Sequence, residues 1–143
     1  MIMNLSEHFT LHELTRSAVA DSRGIDNSLR YSTDAWIIGN LETLCRTVLE
    51  PIRQYVGAPV RVNSGYRCTL LNALLGGADT SQHKTGNAAD ITWENFDKTC
   101  LEVVFAIACN LSHLPIDQVI LYDNFIHVSC SSFPRHIFLD YRS

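Results

Sequence analysis

Residues 81 to 90, SQHKTGNAAD, carry an imidazole and a carboxylate seven positions apart among side chains that are otherwise small or polar. Both are metal-ligand types. A catalytic zinc takes three protein ligands from His, Asp, Glu or Cys and keeps one position open for water. In an extended chain His83 and Asp90 would lie roughly 23 Å apart, so they can reach one ion only if the chain turns back between them. Gly86 and Asn87 permit that reversal, because both tolerate backbone angles closed to most residues. A solvated loop has the same composition, so this stretch alone fits either role.

A third ligand must come from elsewhere, and His127 in FIHVS is the natural candidate. Strand alternation puts Phe125, His127 and Ser129 on one face and Ile126, Val128 and Cys130 on the other. A histidine in an apolar strand needs a partner, whether a metal or a hydrogen-bonding group in the core. His8 and His12 are four apart, but a helix start at Thr10 falls between them. Those two, His113 and His136 are expected at the surface.

The elements that must position these groups are partly legible. Thr10 to Glu13 has the form of a capping box, with Phe9 as its staple, and opens a short helix near 11–17. A polar loop containing Gly24 and Asn27 follows. Ser32 or Thr33 then caps a longer helix in which Ile37, Leu41, Leu44, Val48, Ile52 and Tyr55 recur on one face, and Pro51 must kink or divide it. Val60 and Val62, alternating with Arg61 and Asn63, form a strand running into SGYR, and CTLLNALLGG forms a short helix. AADIT is a strand with Asp90 on a face free of bulky neighbours. Residues 97–112 are helical, with Leu101, Val104, Phe105, Ala108 and Leu111 inward. DQVILY and FIHVSC are strands joined by a tight turn at Asp123-Asn124 that tolerates positive φ. Residues 131–143 carry no strong signal. The pattern predicts one α+β domain over 1–143, with helices packed around a small, mainly antiparallel sheet.

Bulk properties narrow the functions. With 143 residues, 46% hydrophobic and a net charge of −4, the chain can bury a core without disulfides. It offers no basic field for phosphates, so nucleic acid is not an expected partner. The five cysteines, odd in number and without C-x-x-C spacing, fit reduced core residues. MIMNLSEHFTLHEL lacks a basic start, a long apolar run and a cleavage site, and no run approaches about 18 apolar residues. Synthesis in the cytoplasm without a signal peptide, and no membrane insertion, are the expectations.

Taken together, SGYR at 64–67, SQHKTGNAAD at 81–90 and FIHVS at 125–129 resemble, in order and spacing, the zinc D-alanyl-D-alanine carboxypeptidase family, which includes phage endolysins and vancomycin-resistance dipeptidases. The likeness extends to FTLHELTRS near the start and to DQVI before the last strand. It implies Zn2+ held by His83, Asp90 and His127 on one side of a central sheet. It also implies peptidoglycan peptides as the partner, cleavage beside D-amino acids, and action at the cell wall or periplasm after export without a signal peptide. A monomer is expected.

In that family the arginine of S-G-[YF]-R contacts substrate near the reacting carbonyl, which here is Arg67. The chemistry agrees, since a fixed guanidinium can stabilise the oxyanion of peptide hydrolysis. Ser81 is a candidate to bind substrate or to orient its loop, and Tyr66 and Tyr122 are candidates to line the cleft. The departure from the pattern lies in the proton-transfer group. Many members place Asp or Glu three residues before the last histidine, where this chain has Asn124. Small relatives place Glu five residues before it, where this chain has Tyr122. Asp123 is the nearby carboxylate, and it is the candidate general base.

Overall fold

The computed structural model describes residues 3–143; Met1 and Ile2, which begin the stretch read for a leader, lie outside them. Along the chain run α1 (Leu11–Thr15), α2 (Ala18–Arg23), α3 (Tyr31–Leu44), a π-helical turn (Cys45–Leu49) and α4 (Glu50–Val56). Then come β1 (Val60–Ser64), α5 (Thr69–Leu74), a 3-10 turn (Gln82–Thr85), β2 (Ala88–Trp93), α6 (Phe96–Cys109), β3 (Ile116–Leu121), β4 (Ile126–Cys130) and β5 (Ile137–Asp140). The fold is α+β, as expected. Its five strands form one sheet in the order β1-β2-β4-β3-β5.

The helical half follows local chemistry, with shifted boundaries. Thr10 Oγ1 accepts from Glu13 N–H while Glu13 Oε1 accepts from Thr10 N–H, both at 3.2 Å, so the predicted capping box forms. That helix stops at Thr15 rather than 17, because Ser17 Oγ accepts from Ala20 N–H at 3.1 Å and starts α2, where a loop was expected. The next helix begins at Tyr31 rather than behind Ser32 or Thr33. Asp34 reaches back to accept from Arg30 N–H at 2.9 Å, leaving its own backbone outside helical geometry.

Pro51 divides the long helix through a widened turn over 45–49 and so falls in the first turn of α4. There its missing N–H costs nothing, and the wider turn relieves the clash between its ring and the preceding carbonyls. Ile37, Ile38, Leu41, Leu44, Val48, Leu49 and Ile52 are buried, whereas Tyr55, expected on that face, is 47% exposed.

On α6 the inward face is Phe96, Cys100, Val103, Ala106 and Ile107; Leu101 and Phe105, expected inside, are exposed. The helix is apolar around much of its circumference, so its period admits more than one stripe, and packing against α4 and β3 selects one.

In the sheet, alternation sorts the side chains. Val60, Val62, Ala89, Ile91, Val119, Leu121, Ile126 and Val128 join the helices in one apolar cluster. The other face is left to Asp90 and His127, which oppose each other across β2 and β4. The link between β3 and β4 keeps the register of the predicted two-residue turn, which sets Tyr122 against Phe125 across Asp123-Asn124. Tyr122 N–H donates to Phe125 O at 3.0 Å, but neither Asp123 nor Asn124 has the positive φ of that turn.

The unassigned tail supplies β5, which pairs in parallel with β3 and makes the sheet mixed. Arg135 pins the crossover, because its guanidinium and backbone N–H donate to the carboxylate of Asp117, at 2.6 Å for Nη2 to Oδ2. Of the five free cysteines, Cys45, Cys100 and Cys130 are buried; Cys68 is half-buried and Cys109 exposed, so not all are core residues. Among the described residues no helix is long and apolar enough to cross a membrane.

Asp117 is buried, and the Arg135 hydrogen bonds hold its carboxyl below the usual carboxylate range. The folded state therefore favours its ionised form. That stabilisation is complete above the unfolded value near 4 and is lost as pH falls through the lower folded value. Asp117→Asn is expected to cost about 1–2 kcal/mol at pH 7, at the lower end for a charged hydrogen bond because Arg135 is half exposed and keeps its water. Urea unfolding of both proteins at pH 7 and pH 3 checks this, and the gap between them should narrow at the lower pH.

Candidate metal centre

Four strands carry a row of opposed residues: Ser64 faces Asp90, Asp90 faces His127, and His127 faces Ile120. Directly opposed residues share a face, so sheet register alone brings Asp90 and His127 together. His83 arrives from the 3-10 turn before β2. Gly86 ends that turn at φ +78°, a conformation that side-chain-bearing residues rarely adopt, and a Cβ there would lie 2.8 Å from Ile37 O. This is the chain reversal that a shared site requires. The turn is tied down by Gln82 Nε2 donating to Asp117 Oδ2 at 3.0 Å and by Asn40 Nδ2 donating to Thr85 O at 2.9 Å.

The donor atoms of His83, Asp90 and His127 lie within 4.8 Å of one another. His83 Nε2 is 3.3 Å and His127 Nδ1 2.9 Å from the same oxygen, Asp90 Oδ1. Zinc bonds of 2.0–2.1 Å in a tetrahedron would space the donors about 3.4 Å apart, so the cluster is close to that size. The protonation pattern suits it as well. With His83 Nδ1–H donating to Gly65 O at 2.7 Å, the neutral form of the ring would carry its lone pair on Nε2, facing the cluster, as a ligand must. Burial by itself would raise the Asp90 carboxyl, but the hydrogen bonds and charges of His127 and His83 outweigh it and hold the group well below the usual range. Two imidazoles and a buried, ionised carboxylate fit a divalent cation.

Arg67 braces the carboxylate from behind. Its Nη2 donates to Asp90 Oδ2 at 3.2 Å, its Nε to Ser64 Oγ at 3.0 Å and its Nη1 to Asn72 Oδ1 at 3.4 Å. Its backbone N–H donates to His83 O at 3.0 Å, joining the SGYR loop to the histidine turn. That loop is itself held by Asn27, whose Nδ2 donates to Tyr66 O at 2.9 Å and whose Oδ1 accepts from Cys68 N–H at 2.8 Å.

A cleft of about 300 Å³ opens over the cluster, lined also by Leu75, Gly76, Gly77, Tyr122 and Phe125. Tyr122 stacks on Phe125, with ring centroids 4.6 Å apart, and meets Tyr141 edge-on. Burial, then the charge of Asp90, raise its phenol above the ordinary tyrosine value, so it stays protonated at neutral pH. A larger cleft of about 800 Å³ lies between residues 4–8 and 46–54, where Glu50 is taken up by Ser6 and His8.

Ser81 Oγ accepts from His83 N–H at 3.3 Å and so caps the turn. Tyr66 is half-buried against the core cluster. Asp123 stands apart: its carboxylate accepts from Ser143 Oγ at 2.7 Å and from Ser143 N–H at 3.2 Å, and it does not line the cleft. Asn27, Asn72 and Asp117 escaped the sequence reading. A single sequence does not distinguish a buried Asn or Asp from a loop one, although Asp117 sits in the recognised DQVI.

Two buried donors, His83 and Asp90, and a partly exposed third, His127, lie beneath an open cleft and form a candidate mononuclear metal centre. Residues 7–129, nearly the whole chain and every one of these donors, match a family model described as Peptidase M15, and the chain belongs to that family of zinc D-alanyl-D-alanine carboxypeptidase-like and endolysin-like proteins. No curated protein matches it.

Proposed function

We propose that the chain, as a single domain over 1–143, is a zinc-dependent peptidase that hydrolyses bonds next to D-amino acids in peptidoglycan stem peptides or cross-links. The convergence of His83 Nε2 and His127 Nδ1 on Asp90 Oδ1 at the cleft floor is the observation that carries this reading. These three residues would hold the ion, which when bound supplies Lewis acidity and lowers the pKa of water. Arg67 keeps the carboxylate oriented and adds positive charge beside the place where an oxyanion develops. The protonated phenol of Tyr122 is a hydrogen-bond donor on the cleft wall, and the stacked Tyr122 and Phe125 exclude bulk water. A monomer acting at the cell wall fits this reading.

Mass spectrometry of purified peptidoglycan and of D-Ala-D-Ala peptides after incubation with zinc-loaded protein tests it. The expected result is fragments cut beside a D-residue, abolished by His83→Ala. Intact substrate despite bound zinc would sink it.

A second reading, a zinc-holding wall-binding module with weakened catalysis, draws on one observation: among the described residues Asp90 is the sole carboxylate lining the cleft. For Asp123 to act as general base, the turn would have to release it from Ser143. Asp123→Asn is therefore expected to leave hydrolysis within about threefold of the parent, as for most surface substitutions. A fall of about a hundredfold or more in initial rate would instead assign proton transfer to Asp123.

A further inference from the structure

We propose that Asn72 is a positioning residue that sets the guanidinium of Arg67, and through it the carboxylate of Asp90, while fixing the part of the cleft lining at Gly76 and Gly77; only its kinetic readout rests on the peptidase reading. Asn72 is buried, 2% exposed, within α5. Its Nδ2 donates to Ala78 O at 2.8 Å and its Oδ1 accepts from Arg67 Nη1 at 3.4 Å. Gly77 N–H donates to Asn72 O at 2.9 Å. An amide is suited to this place, since it offers an acceptor to a cation on one side and a donor to a carbonyl on the other.

Arg67 uses each guanidinium nitrogen on a different partner, Ser64, Asn72 and Asp90. Without Asn72 the planar group can pivot about its other two bonds. Asp90 Oδ2 then loses a fixed donor, and the carboxylate is no longer constrained to turn Oδ1 towards both imidazoles. Gly77 belongs to the same unit. A Cβ there would collide with the Asn72 side-chain amide, so the amide packs closely against the glycine, and a larger residue would drive it off Arg67. One side chain thereby connects the cleft lining at Gly76 and Gly77 with the brace behind Asp90.

Zinc affinity, measured by competition with a chromogenic chelator, tests this in a double-mutant cycle of Asn72→Ala with Arg67→Ala. Asn72→Ala alone is expected to weaken zinc about tenfold, the scale of lost support to a metal ligand, and to change it less than about twofold when Arg67 is already alanine. Asn72→Asp, which keeps the acceptor for Arg67, should retain affinity within about threefold. Should Asn72→Ala fail to fold, Gly77→Ala takes its place in the cycle, with the same expectation. On a peptide substrate, kcat should fall about tenfold or more with KM little changed.

Equal losses in both Arg67 backgrounds overturn the proposal, because they mark a structural role that does not pass through Arg67. So does a parent protein without zinc affinity. A protein that binds zinc but cuts nothing refutes the peptidase reading while the affinity cycle still decides the role of Asn72.

Discussion

Asp90→Asn is expected to abolish stoichiometric zinc binding and to lower peptide hydrolysis by more than about a thousandfold, the scale on which removing one member of a catalytic unit acts. The substitution preserves shape, so the loss reports charge and hydrogen-bond polarity. Asp90 Oδ1 is the point on which both imidazoles converge, and Oδ2 accepts from Arg67. A neutral amide cannot accept at both positions. It presents an NH2 group either to Arg67, donor against donor, or to the imidazole lone pairs in place of the ion. The Arg67 side chain is 14% exposed, so the variant strands a nearly buried cation. Breaking a buried pair from one side costs about 3–5 kcal/mol, and metal-free Asp90→Asn should lose a large part of that in urea unfolding. Elemental analysis and unfolding of the metal-free protein give the two checks. A variant that keeps zinc at one equivalent, or is as stable as its parent, would show that Asp90 is not the centre of the cluster.

Tyr122→Glu is expected to act in the opposite direction, raising hydrolysis by about a hundredfold to ten-thousandfold, the usual contribution of a positioned general base or acid. Tyr122 lines the cleft beside the three donors, whereas Asp123, the adjacent carboxylate, is taken up by Ser143. A phenol whose pKa is raised by burial and by Asp90 can donate a hydrogen bond but is a poor proton acceptor at neutral pH. A glutamate in its place would feel the same burial and the same negative neighbour. Both would push its carboxyl upward, towards the range where it can exchange protons near pH 7. The change also removes the stack on Phe125 and the edge contact with Tyr141, a cost of about 1–3 kcal/mol for two aromatic pairs. The variant should therefore be faster and less stable. Initial rates on a D-Ala-D-Ala peptide, with zinc content measured in parallel, check this. If Tyr122→Glu binds zinc and is no faster, the missing carboxylate does not limit the rate.

These predictions separate two kinds of information. Local chemistry was visible in the chain itself: the capping box at Thr10, the alternation that buries Val60 and Val62, the division at Pro51, and Gly86 as the point of reversal. Each depends on residues a few positions apart, and such contacts form wherever the segment sits. The misplaced features depend on distant partners. The buried stripe of α6 is set by α4 and β3, since the helix alone carries apolar residues on several sides. The tail becomes β5 only because the edge of β3 is free and Asp117 is there to receive Arg135. Asp123-Asn124 suggested a tight turn with positive φ, yet the register that pairs Leu121 with Ile126 closes the connection through Tyr122 N–H and Phe125 O, and neither turn residue takes a positive φ.

By itself the sequence determined which metal-ligating side chains are available, their order, and the turn that lets His83 and Asp90 approach each other. Tertiary structure alone decided that Asp90 lies opposite His127, that Arg67 holds Asp90 from behind, and that Tyr122 rather than Asp123 faces the cleft. The physical reason is that side-chain type and near-neighbour hydrogen bonding are properties of a short segment. The direction in which a carboxylate points depends on strand register and on partners as remote as Ser143.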